Sequence, residues 1–111
     1  MVKKVKNISL ALKFYAESVP NKTFIQTTKQ KTYSYKKVND EVNNVCFFLY
    51  NQGLRKGDII PVIINNSVEY IIFYLASLRF GTIFNPYPFT LDSVDIKRYL
   101  KKIDYKIVFC Q

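Results

Sequence analysis

The feature that most constrains the fold is an apolar run followed directly by a helix with almost no polar face. Residues 59–64 (IIPVII) show no alternation of apolar and polar positions. A strand of this kind is buried on both faces, as in a parallel sheet. Residues 67–80 predict a helix that is apolar almost all round and needs apolar cover on most sides. Together the two segments favour an α/β layer.

The rest of the chain alternates between helices and strands. Apolar periodicity predicts helices at 9–19, 36–52, 67–80 and 91–103, and strands at 23–28, 31–34, 59–64, 82–85 and 105–109. The first two strands predict a β-hairpin. The predicted fold class is therefore α/β, a mostly parallel sheet with flanking helices plus an N-terminal β-hairpin.

Helix ends carry their own signals. Asn66 is predicted to cap the third helix, with Glu69 completing a capping box. Asp92 is predicted to cap the fourth helix, whose Ile96, Tyr99, Leu100 and Ile103 are expected to face inward. Gly53 is placed to end the second helix in the left-handed conformation.

Length and composition exclude several classes of protein. The chain has 111 residues, which fits a single domain. It has no His, which excludes catalytic sites of the Ser–His–Asp and Cys–His types and most zinc and iron sites. Cys46 and Cys110 are far apart and predict two reduced thiols in a cytoplasmic protein.

The net charge is +9, from 17 Lys and Arg against 8 Asp and Glu. Such a charge makes nucleic acid or an anionic membrane surface a candidate partner. Lys greatly outnumbers Arg in a Lys-, Asn- and Ile-rich composition typical of AT-rich genes, which disfavours nucleic acid. Lys97/Lys101 and Arg98/Lys102 form ridges on the fourth helix. These ridges favour a solvated basic face over a phosphate-binding one.

No segment predicts a membrane span, because polar residues interrupt every long apolar stretch. Lys3, Lys4 and Lys6 precede a short apolar run and faintly resemble a signal peptide. Lys13 and Glu17 cut that run short, so the predicted location is cytoplasmic.

An ordered set of short motifs runs through the chain. The motifs are Ser34-Tyr35-Lys36-Lys37-Val38, Gly53-Leu54-Arg55-Lys56-Gly57-Asp58, Asn66-Ser67-Val68-Glu69, Leu78-Arg79-Phe80-Gly81 and Asn85-Pro86-Tyr87-Pro88. The set resembles the N-terminal region of the adenylate-forming (AMP-binding) ligase superfamily, which includes acyl-CoA synthetases and the adenylation domains of peptide synthetases. The resemblance covers nearly the whole chain.

The resemblance implies that residues 1–111 are a single partial domain, an N-terminal subdomain of a larger fold. Gln111 directly follows a predicted strand, which would leave an open sheet edge and an uncovered face. We therefore expect the remainder of the ligase, or a complementing subunit, as partner. ATP and Mg²⁺ are expected for the full-length enzyme and no cofactor for this chain alone.

The resemblance places the family's phosphate loop and catalytic Lys outside this sequence. We therefore assign no catalytic, cofactor-binding or metal residue, and expect no activity from the chain alone. An anion site at Asn66-Ser67 is an alternative to simple helix capping. The carboxylates Asp40-Glu41 and Asp92/Asp95 do not form an acid–base pair. Two other functions stay open: a stand-alone basic α/β interaction module, and one subunit of a split ligase.

Overall fold

The computed structural model describes residues 7–110, so Lys3, Lys4, Lys6 and Gln111 lie outside the described residues. The helices are α1 (Ile8–Ser18), α2 (Tyr35–Asn51), α3 (Val68–Phe80) and α4 (Ser93–Leu100). The strands are β1 (Thr23–Gln26), β2 (Thr32–Ser34), β3 (Ile59–Ile63), β4 (Ile83–Pro86) and β5 (Phe109–Cys110). This order confirms the predicted α/β class.

Two separate sheets are present in the described part of the chain. The strands β1 and β2 form the predicted antiparallel hairpin. The strands β4, β3 and β5 form a three-stranded parallel sheet in that order, with β3 central. The chain moves from β3 to β4 and then back past β3 to β5. Crossovers of this kind are almost always right-handed, which predicts that α3 and α4 lie on opposite faces of the sheet.

The central strand is buried on both faces, as its composition predicts. Ile60 and Val62 pack with residues of α2 and α3 on one face, and both are fully buried. Pro61 is also fully buried although it faces the other side of the sheet. A second apolar cluster joins α1, α2 and α3 through Leu12, Val42 and Ile72. The hydrophobic core thus lies between the parallel sheet and the three N-terminal helices.

The N-cap assigned to the third helix is wrong by one residue. Ser67 is the N-cap of α3, and its Oγ accepts a hydrogen bond from the Tyr70 backbone N–H at 3.2 Å. Asn66 instead donates its backbone N–H to the Asn65 side-chain oxygen at 2.8 Å. Two adjacent residues that both favour N-caps cannot be ranked by propensity alone. With Ser67 as the cap, Glu69 is not at the capping-box position.

The C-terminal elements are shorter and less buried than predicted. The helix α4 ends at Leu100 and contains no buried residue. Of the side chains expected to face inward, Tyr99 is 43% exposed, whereas Ile96, Leu100 and Ile103 are half-buried. The last strand covers only Phe109–Cys110, although Tyr105 makes an isolated bridge to Ile59. Asp92 caps α4 as predicted, its carboxylate accepting from the Asp95 backbone N–H.

Glycines end two helices in the left-handed conformation. Gly53 follows α2 with φ +84°, and Gly81 is the C-cap of α3 with φ +96°. A Cβ at Gly81 would lie 2.9 Å from Lys56 Cγ. A side chain at residue 81 is therefore disfavoured by lack of space as well as by the positive φ angle. The Gly81 carbonyl accepts from the Gly57 backbone N–H at 2.9 Å, which joins the end of α3 to the turn before β3.

Candidate functional site

A cleft of about 380 Å³ opens at the carboxyl ends of β3 and β4. In open α/β sheets this edge is the usual place for a ligand. The lining residues come from the β3–α3 connection, the first turn of α3 and the segment after β4. They are Ile64, Asn65, Asn66, Tyr70, Pro86, Tyr87, Pro88 and Phe89.

The wall formed by the β3–α3 connection is fixed by helix capping. The Ser67 hydroxyl donates to the Asn65 carbonyl oxygen at 3.1 Å while it accepts from Tyr70 N–H. The Tyr70 ring lies edge-on to Phe84 of β4, with ring centroids 5.3 Å apart. The cap and the ring contact together hold this wall against the sheet.

The opposite wall is the extended segment that follows β4. The Tyr87 backbone N–H donates to the Val62 carbonyl oxygen at 2.9 Å, which continues the β3–β4 ladder by one residue. The Asn85 side-chain amide donates to the Tyr87 hydroxyl at 3.0 Å. The Tyr87 ring stacks on Tyr99 of α4 at 5.8 Å between centroids. Tyr87 therefore links the cleft, the sheet and α4.

The cleft carries amide and phenol groups but no charged side chain among its lining residues. A triphosphate is normally held by cationic side chains or a glycine-rich loop, and Mg²⁺ by carboxylates. Within residues 7–110, no three His, Cys, Asp or Glu side chains group closely enough to hold a metal ion. The lining of this cleft therefore offers no charged group of its own to hold Mg-ATP.

The alternative of an anion site at Asn66-Ser67 gains no support. The Ser67 hydroxyl both donates to Asn65 and accepts from Tyr70, so it is used by the helix end itself. Asn66 is exposed, and it lines the cleft without a cationic neighbour in the lining. The predicted capping role is thus filled by Ser67, and no anion ligand is indicated there.

The carboxylates named from the sequence all have structural partners. Asp40 pairs with Lys36 at 2.7 Å and Glu41 with Lys37 at 2.9 Å, both across one turn of α2. Asp95 pairs with Arg98 at 3.4 Å. Exposed pairs of this kind contribute little to stability. None of these carboxylates lines the cleft at the carboxyl ends of β3 and β4.

Arg79 of α3 joins the three N-terminal helices. Its Nη1 donates to Asn43 Oδ1 of α2 at 2.8 Å and its Nη2 to the Ser9 carbonyl oxygen of α1 at 2.6 Å. Burial lowers the pKa of Arg79 from its usual value. Burial also raises the pKa of the nearby Cys46 thiol, partly offset by the Arg79 charge. A raised thiol pKa disfavours the reactive thiolate, so Cys46 is not a nucleophile candidate.

The family model described as "AMP-binding enzyme" matches residues 12–111. The chain belongs to this AMP-binding family. The match covers more than half of the chain and includes the cleft, the parallel sheet and the helices α2, α3 and α4. The resemblance drawn from the motifs is thereby confirmed.

Curated relatives align with parts of this AMP-binding chain. The L-2-aminoadipate reductase large subunit of Candida glabrata is 29% identical over 76 residues, which is 63% of this chain and 6% of the relative. The crotonobetaine/carnitine–CoA ligase of Escherichia fergusonii is 33% identical over 54 residues, which is 49% of this chain and 10% of the relative. The chain thus spans a tenth or less of the length of these relatives.

Solved structures show the same fold. The N-terminal domain of FACL13 from Mycobacterium tuberculosis has a TM-score of 0.82 and 23% identity, over 94% of this chain and 26% of that one. MatB from Rhodopseudomonas palustris has a TM-score of 0.79 and 26% identity, over 90% of this chain and 20% of that one. The sheet and helices therefore match the N-terminal subdomain of adenylate-forming enzymes.

Sequence reasoning did not identify the cleft as a unit. The sequence identifies Asn66 as a helix cap or, with Ser67, as an alternative anion site, and Tyr87 only as part of the Asn85-Pro86-Tyr87-Pro88 motif. The contributions of Asn65, Tyr70 and Phe89 were missed. One signal was available, because residues that directly follow parallel strands collect at one edge of the sheet.

Within residues 7–110, no helix combines the length and the apolar content needed to cross a bilayer.

Proposed function

We propose that this chain is the N-terminal scaffold portion of an ATP-dependent, carboxylate-adenylating ligase of the acyl-CoA synthetase type. The observation that carries the proposal is the family match over residues 12–111, together with the parallel sheet order β4-β3-β5. In this proposal residues 1–111 make up a single partial domain of a larger adenylate-forming fold.

The full enzyme joins a carboxylate oxygen to the α-phosphorus of ATP. This step releases pyrophosphate and leaves an acyl-adenylate. A thiol then takes the acyl group and AMP leaves. Bound ATP and Mg²⁺ supply the leaving group and its charge neutralisation. The cleft lining carries no charged side chain to hold these groups, so the proposal gives this chain the structural part only.

A chain with this role is inactive alone and acts with the remainder of the ligase or with a complementing subunit, in the cytoplasm. One feature supports such a partner. Ile83 of the edge strand β4 is 52% exposed. Sheet edges with exposed apolar residues are usually covered by further structure.

The proposal is tested by reading the coding sequence after the Gln111 codon. We expect a continuous or overlapping frame that encodes a Ser/Thr/Gly-rich loop ending in Pro-Lys-Gly, or a neighbouring gene that encodes it. The polypeptide carrying that loop should co-purify with residues 1–111 or be fused to them. A genome in which neither the adjoining frame nor a co-purifying protein carries the loop contradicts the proposal.

A stand-alone basic interaction module is the second candidate, and α4 is the observation that favours it. This helix exposes Lys97, Arg98 and Lys101 and buries no residue. Size-exclusion chromatography separates the two candidates. A stand-alone module runs as a single small species, whereas an orphaned scaffold with uncovered apolar surface self-associates and binds a hydrophobic dye.

A further inference from the structure

The outward side of α4 combines cations with an exposed apolar centre. Val94, Lys97, Arg98 and Lys101 fall on one face of the helix and line a shallow hollow of about 330 Å³. Val94 is 65% exposed, although the usual place for a valine is the interior. The hollow is therefore lined by one exposed valine and three basic side chains.

A second hollow lies across the ridge formed by Lys97 and Lys101. It measures about 340 Å³ and is also lined by Leu100, Ile103 and Tyr105. The two lysine stems thus run between apolar side chains on either side. We call the residues of both hollows, with the adjacent Lys102, the α4 surface.

The lysines of the α4 surface lack neutralising partners among residues 7–110. No carboxylate oxygen lies within 4.0 Å of the Nζ of Lys97, Lys101 or Lys102, whereas Arg98 has Asp95 at 3.4 Å. Lys36, Lys37 and Lys106 are paired with carboxylates, whereas Lys13, Lys22, Lys29, Lys31 and Lys56 also lack a carboxylate partner within the described range. The α4 surface differs in that three unpaired lysines lie within six residues, 97–102.

We propose that the α4 surface binds the anionic surface of a lipid bilayer. Long lysine side chains can place their ammonium groups among lipid headgroups while their stems follow apolar surface. Val94 and Leu100, lying beside them, can enter the boundary of the acyl region. Clustered cations on such a helix match the negative potential of anionic lipids.

A nucleic acid fits the same surface less well. Phosphate backbones attract the cations, but they offer no apolar environment for an exposed valine. Three of the four cations that follow Val94 on this surface are lysine, which lacks the bidentate geometry of arginine. Binding to a nucleic acid such as single-stranded RNA is a competing outcome of the test.

The test measures co-sedimentation of the chain with vesicles of phosphatidylcholine alone and of phosphatidylcholine mixed with phosphatidylserine. We expect binding only to the anionic vesicles. Each lysine near the surface should contribute roughly fivefold, so K97Q/K101Q/K102Q should weaken binding about a hundredfold. The matched variant K13Q/K22Q/K29Q makes the same charge change at other exposed lysines and should retain binding within about twofold.

A spectroscopic reporter gives the orientation on the vesicle. The chain has no Trp, so Val94→Trp places a single indole in the α4 surface. Its emission should shift to the blue with anionic vesicles. Phe47→Trp, at a position 70% exposed on α2, should not shift. Because all the substituted side chains are exposed, thermal melts of the variants should match the parent.

Several results overturn the proposal: no binding to anionic vesicles, equal losses in the two triple variants, or a blue shift only for Phe47→Trp. Loss of single-stranded RNA binding in K97Q/K101Q/K102Q, with vesicle binding unchanged, also overturns it. None of these outcomes depends on whether the chain is part of a ligase, because adenylation is not measured.

Discussion

Lys106 Nζ lies 2.9 Å from Asp58 Oδ2, although the two residues are far apart in the sequence. The same ammonium group donates to the Gly53 carbonyl oxygen at 3.2 Å. Asp58 also accepts the Arg55 backbone N–H at 2.7 Å. These bonds fasten the segment leading into β5 to the turn before β3, which positions the short edge strand.

We expect this contact to make the stability of the fold sensitive to acid pH. The hydrogen bond from Lys106, and then that from Arg55, lower the pKa of Asp58. A carboxyl with a lowered folded pKa contributes stability above its unfolded pKa of about 3.9, and that stability is lost as the pH falls through the folded pKa. We expect Asp58→Asn to reduce the loss of stability below about pH 5.

Urea unfolding from pH 7 to acid pH measures this effect in the parent and in Asp58→Asn. Asp40→Asn is the control, because Asp40 forms only an exposed pair within one helix. If the parent and Asp58→Asn lose stability with the same slope, the Lys106–Asp58 contact has no role in acid sensitivity.

Arg79 should be a stability determinant despite its polar character. Its guanidinium holds Ser9 of α1 and Asn43 of α2 to α3. Hydrogen bonds to a charged group are strong, and Arg79→Ala removes two of them between helices, so we expect a loss of about 2 kcal/mol. Arg98→Ala removes only an exposed pair with Asp95 and should cost less than about 0.5 kcal/mol.

Equilibrium denaturation of these two arginine variants decides the matter. Equal losses in Arg79→Ala and Arg98→Ala would show that the bonds between the three helices contribute no more than a surface ion pair.

The N-cap of α3 gives a prediction that separates two adjacent residues. The Ser67 hydroxyl caps the helix, while Asn66 is exposed and outside it. Ser67→Ala should cost about 1 kcal/mol, and Asn66→Ala should be close to neutral. Chemical denaturation of both variants is the measurement. A larger loss in Asn66→Ala than in Ser67→Ala would restore the capping role that propensity assigned to Asn66.

The sequence predicted the architecture well where a local pattern decides it. The apolar run at β3 and the helix without a polar face together required a layered α/β fold, and Gly53 marked where α2 ends. Those features depend on hydrophobicity and on backbone preference, which are properties of the residue itself and can be read from the sequence.

The features that the sequence did not predict have a common cause, because all of them depend on tertiary contacts. Lys106 is tied to Asp58 and Gly53 just before β5, and no local pattern contains these bonds. Tyr99 is 43% exposed, and its ring stacks on Tyr87. The cleft was missed because its walls come from two segments that only the parallel sheet brings together.

The central claim is that this chain supplies structure to an adenylate-forming enzyme and no adenylation chemistry of its own. Carboxylate-dependent exchange of labelled pyrophosphate into ATP, measured on the purified 111-residue chain with Mg²⁺ and a panel of fatty, aromatic and amino acids, tests it most directly. We predict exchange at the level of a no-protein control for every acid. Exchange well above that control with any acid, lost when the acid is omitted, would contradict the claim.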